Sequence, residues 1–207
     1  MAYTTEQENF WAGDFGNDYI NRNNHDGEYD STNLALFSKI LNCTNNINSI
    51  IELGANVGLN LKAINKLRPE AKLTGVEINK NAVKQLSNIP NTHAINESLL
   101  EFQTTERHNL SLIKGVLIHI NPDQLETAYD ALYNLSNDYI CVIEYYNPSP
   151  IEIGYRGHER KLFKRDFAGE LMDKFPDLSL IDYGFLYSKD NNYKYDDSTW
   201  FLLKKQK

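Results

Sequence analysis

Apolar residues along this chain fall into short continuous runs, separated by stretches in which they recur at helical spacing. The run "SIIEL", Ser49–Leu53, is β-branched and aliphatic and predicts a buried strand. Beyond it Val57, Leu61 and Ile64 follow a helical interval, and Pro69 marks the end of that helix. "KLTGVEI" predicts a second strand, and "NKNAVKQLSNI" a helix with asparagines placed to cap it and Val83 and Leu86 on one face. "THAI" predicts a third, short strand, and "LIKGVLIHI" holds a fourth. Asn121-Pro122 then reads as an N-cap and first helical position, opening a helix striped by Leu125, Ala128, Leu132 and Leu135. "YICVIEYY" predicts a fifth strand, apolar until Glu144.

Strands alternating with helices imply an α/β fold, with parallel strands in one sheet and helices on both faces. The tail breaks that rhythm. "LSLIDYGFLYS" and "STWFLLKK" are joined by the polar "KDNNYKYDD", with no room for a helix, so they predict an antiparallel hairpin at the sheet edge.

The length, 207 residues, fits one domain with a real core, and 41% hydrophobic with 12% aromatic residues argues against disorder. No apolar run approaches the roughly 18 residues of a membrane span, and the acidic, polar start "MAYTTEQENFWAGDFGNDY" is unlike an export signal. Cys43 and Cys141 lie far apart, without metal-ligand spacing, which predicts reduced thiols and a cytoplasmic protein. A net charge of −7 and a pI of about 5.2 argue against a nucleic-acid partner. Histidines at 25, 93, 108, 119 and 158 are scattered, and no metal site is expected. Oligomeric state leaves no signal.

Candidate chemistry begins at "ELGANVG", the loop after the first strand. In open α/β sheets ligands bind beyond the carboxyl ends of the strands, where the chain order reverses. Gly54 permits a tight turn and close approach to a ligand, and Gly58 a tight helix start. Glu77 ends the second strand, 25 residues beyond Glu52, where a carboxylate can accept both hydroxyls of a ribose. The loop lacks the G-x-G-x-x-G of a dinucleotide site and the Gly-Lys-Ser/Thr of a Walker loop. Asn56 stands where a third glycine would, and asparagine tolerates positive φ.

An acidic residue followed by G-x-G/N-x-G resembles motif I of the class I S-adenosylmethionine-dependent methyltransferases, and the order of elements from about Ser49 to Lys204 is similar to theirs, terminal hairpin included. The resemblance implies a Rossmann-like sheet and S-adenosylmethionine as cofactor, leaving S-adenosylhomocysteine. Carried onto this sequence, it implies that Gly54, Ala55, Asn56 and Gly58 form the loop against the methionine part of the cofactor. Glu77 and Ile78 would hold the ribose and one adenine face, and Glu97 and Ser98 of "INESLLEF" the adenine amino group. An N-terminal helical lid over residues 1–45 would close on a core of 46–207. Within it Tyr19 and Arg22 are candidates to bind, Arg22 pairing the cofactor carboxylate, while Trp11 and Phe15 pack.

Three longer stretches, "FWAGDFGNDYINRN", "KGVLIHINPDQL" and "EYYNPSPIEIGYRGHERKLFKRDFAGE", look like the methylases found with bacterial pseudaminic acid biosynthesis. That resemblance implies a small-molecule acceptor, a nonulosonic-acid sugar or sugar nucleotide methylated on oxygen or nitrogen. Methyl transfer needs alignment and, where required, a base. His119, after the fourth strand, is the candidate base, joined by Tyr146 and His158 as catalytic candidates. Asn147, Tyr155 and Arg156 are candidates for substrate binding. From Arg156 to Arg165 five Lys or Arg residues stand against Glu159 alone, a charge reversal suited to an anionic acceptor. Within it Arg156 and His158 fall in an expected loop, while Lys161, Lys164 and Arg165 also fit a solvated helix face. Two other readings stay open: a protein or peptide side chain as acceptor, and a cofactor-binding module without catalysis.

Overall fold

The computed structural model describes residues 3–23, 28–193 and 195–206. Its strands are β1 (Ser49–Leu53), β2 (Lys72–Glu77), β3 (Thr92–Asn96), β4 (His108–Lys114), β5 (Ser136–Glu144), β6 (Ile151–Tyr155), β7 (His158–Lys164), β8 (Leu178–Leu186) and β9 (Ser198–Lys205). Seven of them form one sheet in the order β3-β2-β1-β4-β5-β9-β8. Pairs among β1 to β5 are parallel, while β9 runs antiparallel to both β5 and β8. The edge hairpin expected from the tail is therefore present. The chain order reverses between β1 and β4, which opens a crevice at their carboxyl ends.

Alternation along each strand sorts the core into two layers. Ile50, Leu110, Leu112, Tyr139 and Cys141 face one layer, and Ile51, Leu53, Ile113, Ile140 and Val142 the other. The helices are α1 (Glu6–Ala12), α2 (Asp14–Asn23), α3 (Glu28–Asn42), α4 (Leu59–Leu67), α5 (Lys80–Leu86), α6 (Leu125–Leu135) and α7 (Phe167–Lys174). Phe37 and Ile40 of α3, Leu61 and Ile64 of α4 and Leu86 of α5 fill the first layer. Leu125, Ala128, Leu132 and Leu135 of α6, the stripe read from the sequence, fill the second with Phe167 and Leu171 of α7. Gly75 lets α4 and α5 approach the sheet, since an added Cβ would meet Leu86, Ala55 and Leu61 at 2.8–3.1 Å.

At the N-terminus Thr5 and Glu8 make a reciprocal capping box that starts α1, and Gly13 ends it. Trp11 and Phe15 thus belong to two successive helices, their rings edge to face at 5.3 Å. Phe15 packs as expected, while Trp11 packs and also lines the cavity beside β1 and β4.

The stretch after β5 differs from the sequence reading. Instead of a loop and a solvated helix face, β6 and β7 form an antiparallel hairpin of their own, turning at Arg156 and Gly157 with φ of 50° and 83°. Lys161, expected in solvent, is only 4% exposed. The reason is long-range: α1 lies across it. Its ammonium stands 2.8 Å from the Glu6 carboxylate, and that partner holds the Glu6 carboxyl below the ordinary range.

Leu61 is fully buried at the junction of α4 with the sheet. Leu61→Ala should lower unfolding free energy by about 2–5 kcal/mol, read as a lower urea midpoint.

Candidate active site

The crevice between β1 and β4 holds a cavity whose first wall is the glycine loop. Gly54 N–H and Ala55 N–H both donate to the Val76 carbonyl, at 2.8 and 3.0 Å, folding the loop back over β2. Gly54, Asn56 and Gly58 have φ of 74°, 48° and 84°, the left-handed region that favours glycine and tolerates asparagine. A Cβ on Gly54 would strike Val116 across the crevice. Asn56 is fixed by its own side chain, whose Oδ1 accepts from Val57 N–H at 2.7 Å. Gly58 lies just outside the cavity, starting α4 against Leu86 and Ile89.

Glu77 is the centre of the site. Its Oε2 accepts from Asn56 N–H and its Oε1 from Asn79 N–H, both at 2.7 Å. It is buried, and burial pushes its carboxyl above the ordinary range against the pull of those backbone donors. Each oxygen keeps further lone-pair capacity, which suits a vicinal diol. Asn79 caps α5 through its Oδ1 and donates from Nδ2 to Trp11 O and Asn17 Oδ1, at 3.2 and 3.1 Å. One carboxylate thus ties the loop, the start of α5 and the N-terminal helices together.

Ile78 and half-buried Glu97 continue this wall. Ser98 also lines the cavity, but its hydroxyl donates to Glu8 Oε1 at 2.5 Å and accepts from Leu100 N–H. Ser98 holds α1 in place. From α1 and α2 come Glu8, Trp11 and Tyr19 as a roof. Arg22 belongs to α2, and its side chain lies outside the described residues.

The opposite wall is the turn Leu117–His119 after β4. Glu144, at the end of β5, accepts from Val116 N–H and Leu117 N–H at 2.9 Å each and so fixes that turn. Burial raises the Glu144 carboxyl to about 7. His119 Nδ1 lies 2.5 Å from the Lys161 carbonyl, which assigns the proton to Nδ1 and leaves the Nε2 lone pair available. Burial holds this imidazole down at about 4, so it is neutral near pH 7. Its ring packs between Trp11 and Tyr155, at 4.7 and 4.9 Å. Two other cavity groups, Trp11 Nε1 and Gln7 Oε1, are buried with no protein partner.

The cavity therefore gathers Tyr19, Gly54, Ala55, Asn56, Glu77, Ile78, Glu97, Ser98 and His119, and leaves Gly58, Tyr146, Asn147, Tyr155, Arg156 and His158 off its lining. Tyr146 is exposed, bridging to Arg165 beside Phe201. Asn147 spends its amide on the Ser149 carbonyl and its N–H on Arg165. Pairing with Arg165 turns this strand exit outward, against the expectation that Tyr146 and Asn147 reach the site. Tyr155 backs His119 from behind, Arg156 rests over Tyr155, and exposed His158 meets Phe10 and Phe15 edge-on.

Sequence reasoning missed Gln7, Glu8, Asn33, Asn60 and Lys114, all of which line the cavity. The "TEQE" capping box, unread in the sequence, could have signalled a helix start at Thr5 but not where that helix docks. The lining carries Glu8, Glu77, Glu97 and Asp196, with Lys114 the one Lys or Arg among its described residues. That balance suits a cationic ligand. Among the described residues no helix is long and apolar enough to cross a membrane, and no three His, Cys, Asp or Glu residues group to hold a metal ion.

No protein-family model matches the chain, and no curated protein matches it in sequence. Solved structures do. The 1,6-didemethyltoxoflavin-N1-methyltransferase of Burkholderia thailandensis, bound to 1,6-didemethyltoxoflavin and S-adenosylhomocysteine, superposes with a TM-score of 0.74 at 14% identity, covering 100% of this chain and 92% of its own. Magnesium protoporphyrin IX methyltransferase from Synechocystis PCC 6803, with S-adenosylhomocysteine, gives 0.69 at 12% identity over 96% and 97% of the two chains. The plantazolicin methyltransferase, with S-adenosylhomocysteine, gives 0.67 at 16% identity over 97% and 94%. The chain therefore has the Rossmann-like fold of these methyltransferases, completed by an antiparallel edge hairpin.

The Glu144 carboxyl, at about 7 when folded against an ordinary 4.5, holds its proton over a range where the unfolded chain has lost it. Its contribution is full below pH 4.5 and is lost as pH rises towards 7, by roughly 3 kcal/mol at about 1.4 kcal/mol per pH unit. Urea midpoints measured from pH 5 to 8 should fall in the native chain, and Glu144→Gln should flatten part of that fall.

Proposed function

We propose that this chain is a cytoplasmic enzyme that moves a methyl group from S-adenosylmethionine to a small polar acceptor. The observation that carries this reading is Glu77, buried at the end of β2 and bonded to the loop it faces, on the wall of an acid-lined cavity. The residues fit the cofactor: a carboxylate for the ribose, a loop that a Cβ would obstruct, and excess negative charge for a sulfonium. When bound, the cofactor supplies an already activated methyl group.

Within this reading Glu77 takes the ribose hydroxyls and Ile78 one face of the adenine, with Glu97 towards its amino group. Gly54, Ala55 and Asn56 line the path of the aminoacid chain. Helices α1 and α2 act as the lid, with Tyr19 on its inner side, and Ser98 serves the lid through Glu8.

His119 suits orientation better than strong proton abstraction. An imidazole held near 4 is a weak base, but its Nε2 can accept a hydrogen bond from an acceptor hydroxyl or amine. Trp11 Nε1 and Gln7 Oε1 add one donor and one acceptor nearby, both needing a partner. An acceptor with neighbouring polar groups meets those needs. Anionic groups on it would lie outward, towards Arg156 and His158 of the β6–β7 turn. The finer proposal, a nonulosonic-acid sugar or sugar nucleotide, rests on the sequence resemblance alone. The toxoflavin and plantazolicin enzymes supply a heterocyclic and a second acceptor to include in a test panel.

Calorimetry with S-adenosylmethionine and S-adenosylhomocysteine should give binding of both. Labelled methyl donor with a panel of amino and nonulosonic sugars, heterocycles and peptides, followed by mass spectrometry, should then give a methylated product. Binding without any product would favour a module without catalysis. His119→Ala should lower turnover about 10- to 100-fold and change cofactor affinity by less than about twofold.

A further inference from the structure

Lys114 is the last residue of β4 and lines the cavity. Its ammonium lies within the protein although part of the side chain stays open to the cavity. It donates to Asn33 Oδ1 of α3 at 3.0 Å and to Asn60 Oδ1 of α4 at 3.2 Å. Both acceptors are neutral. Among the described residues no carboxylate stands within ion-pair distance of it.

The surroundings fix this arrangement. Asn60 donates from Nδ2 to Glu52 Oε1 at 2.6 Å, which orients its amide oxygen towards Lys114. Glu52 Oε2 behind it is buried and without a partner. An ammonium has three protons, and two amide oxygens leave one for a ligand. Glu52 and Asp196 attract this cation from nearby, but neither bonds to it, so no direct ion pair offsets its desolvation. A ligand carboxylate would accept the third proton and make that direct pair.

Position says which carboxylate. The β1–β4 register sets Leu53 against Ile113, so Lys114 lies level with Gly54, on the β4 side of the loop. Glu77 lies on the β2 side of the same loop. A ligand spanning the loop meets a diol acceptor at one end and a cation at the other.

Resting on the cofactor reading above, we infer that Lys114, held by Asn33 and Asn60, receives the α-carboxylate of the S-adenosyl cofactor. The role expected of Arg22 passes to a residue of the sheet itself. Lys114 is then a binding residue that also sets the cofactor's register along the loop.

Calorimetry with three probes tests this: S-adenosylhomocysteine, its decarboxylated amine, and 5′-methylthioadenosine, which lacks the aminoacid chain. The native chain should prefer S-adenosylhomocysteine over the decarboxylated amine by about 10- to 100-fold, the range of a charge-assisted hydrogen bond. Lys114→Met should abolish that preference while keeping methylthioadenosine affinity within about twofold, which reports an intact fold. A native chain indifferent to the carboxylate, or a preference that survives in Lys114→Met, overturns the inference. So does a preference that collapses in Arg22→Ala while Lys114→Met retains it. If Lys114→Met loses methylthioadenosine as well, Asn33→Ala decides: a several-fold fall in preference supports the anchor and an unchanged one sinks it. Failure of all three probes on the native chain would instead overturn the cofactor reading.

Discussion

One buried carboxylate organises this protein's site. Glu77 is formed by the most ordinary of events, a strand ending, yet both of its oxygens are bonded to backbone N–H groups of neighbouring segments. Those bonds hold Asn56 in a left-handed conformation and set Asn79 as the cap of α5. Asn79 then reaches the N-terminal helices. Removing water from a carboxylate is costly unless hydrogen bonds replace it, and here the replacements come from the glycine loop and the start of α5. The loop, the start of α5 and the N-terminal helices are positioned by one desolvation problem and its solution.

Much of the fold was legible because it obeys local rules. β-branched runs became the buried parallel strands, and the polar link between the last two apolar runs became the edge hairpin. The glycine loop was legible for the same reason, since Gly54 and Asn56 carry their conformational needs in their identity. What escaped depended on distant segments. Lys161 reads as a surface lysine until α1, more than a hundred residues away, covers it. The β6–β7 hairpin was hidden by prolines at its entry and by its charges, although Leu162 and Phe163 are its buried residues. Lys114 is a strand-end lysine of the most unremarkable kind. Its role depends on Asn33 and Asn60, which only folding brings to it.

The charge pattern also divides by location. The chain is acidic overall, and the cavity is more so, with Lys114 set apart at one end. Of the basic run that suggested an anionic acceptor, Arg156 at the β6–β7 turn and Arg160 are exposed, whereas Lys161 is buried against Glu6 and Arg165 pairs with Glu170. The acids of the cavity and these two exposed arginines therefore differ in sign and in place. Under the proposed reading, a sulfonium is drawn to the first and anionic groups of an acceptor to the second.

Helix α3 has a meaning for where this molecule tolerates shortening. Its residues Leu36, Phe37, Ile40 and Leu41 are buried against the sheet, whereas α1 and α2 chiefly roof the cavity. Trimming the chain through α2 would strip one wall from the pocket and leave the sheet clothed. Removing α3 as well would bare the part of the sheet's apolar face that α4 and α5 do not cover. The boundary between a replaceable cover and the folding unit thus falls ahead of α3, not behind it.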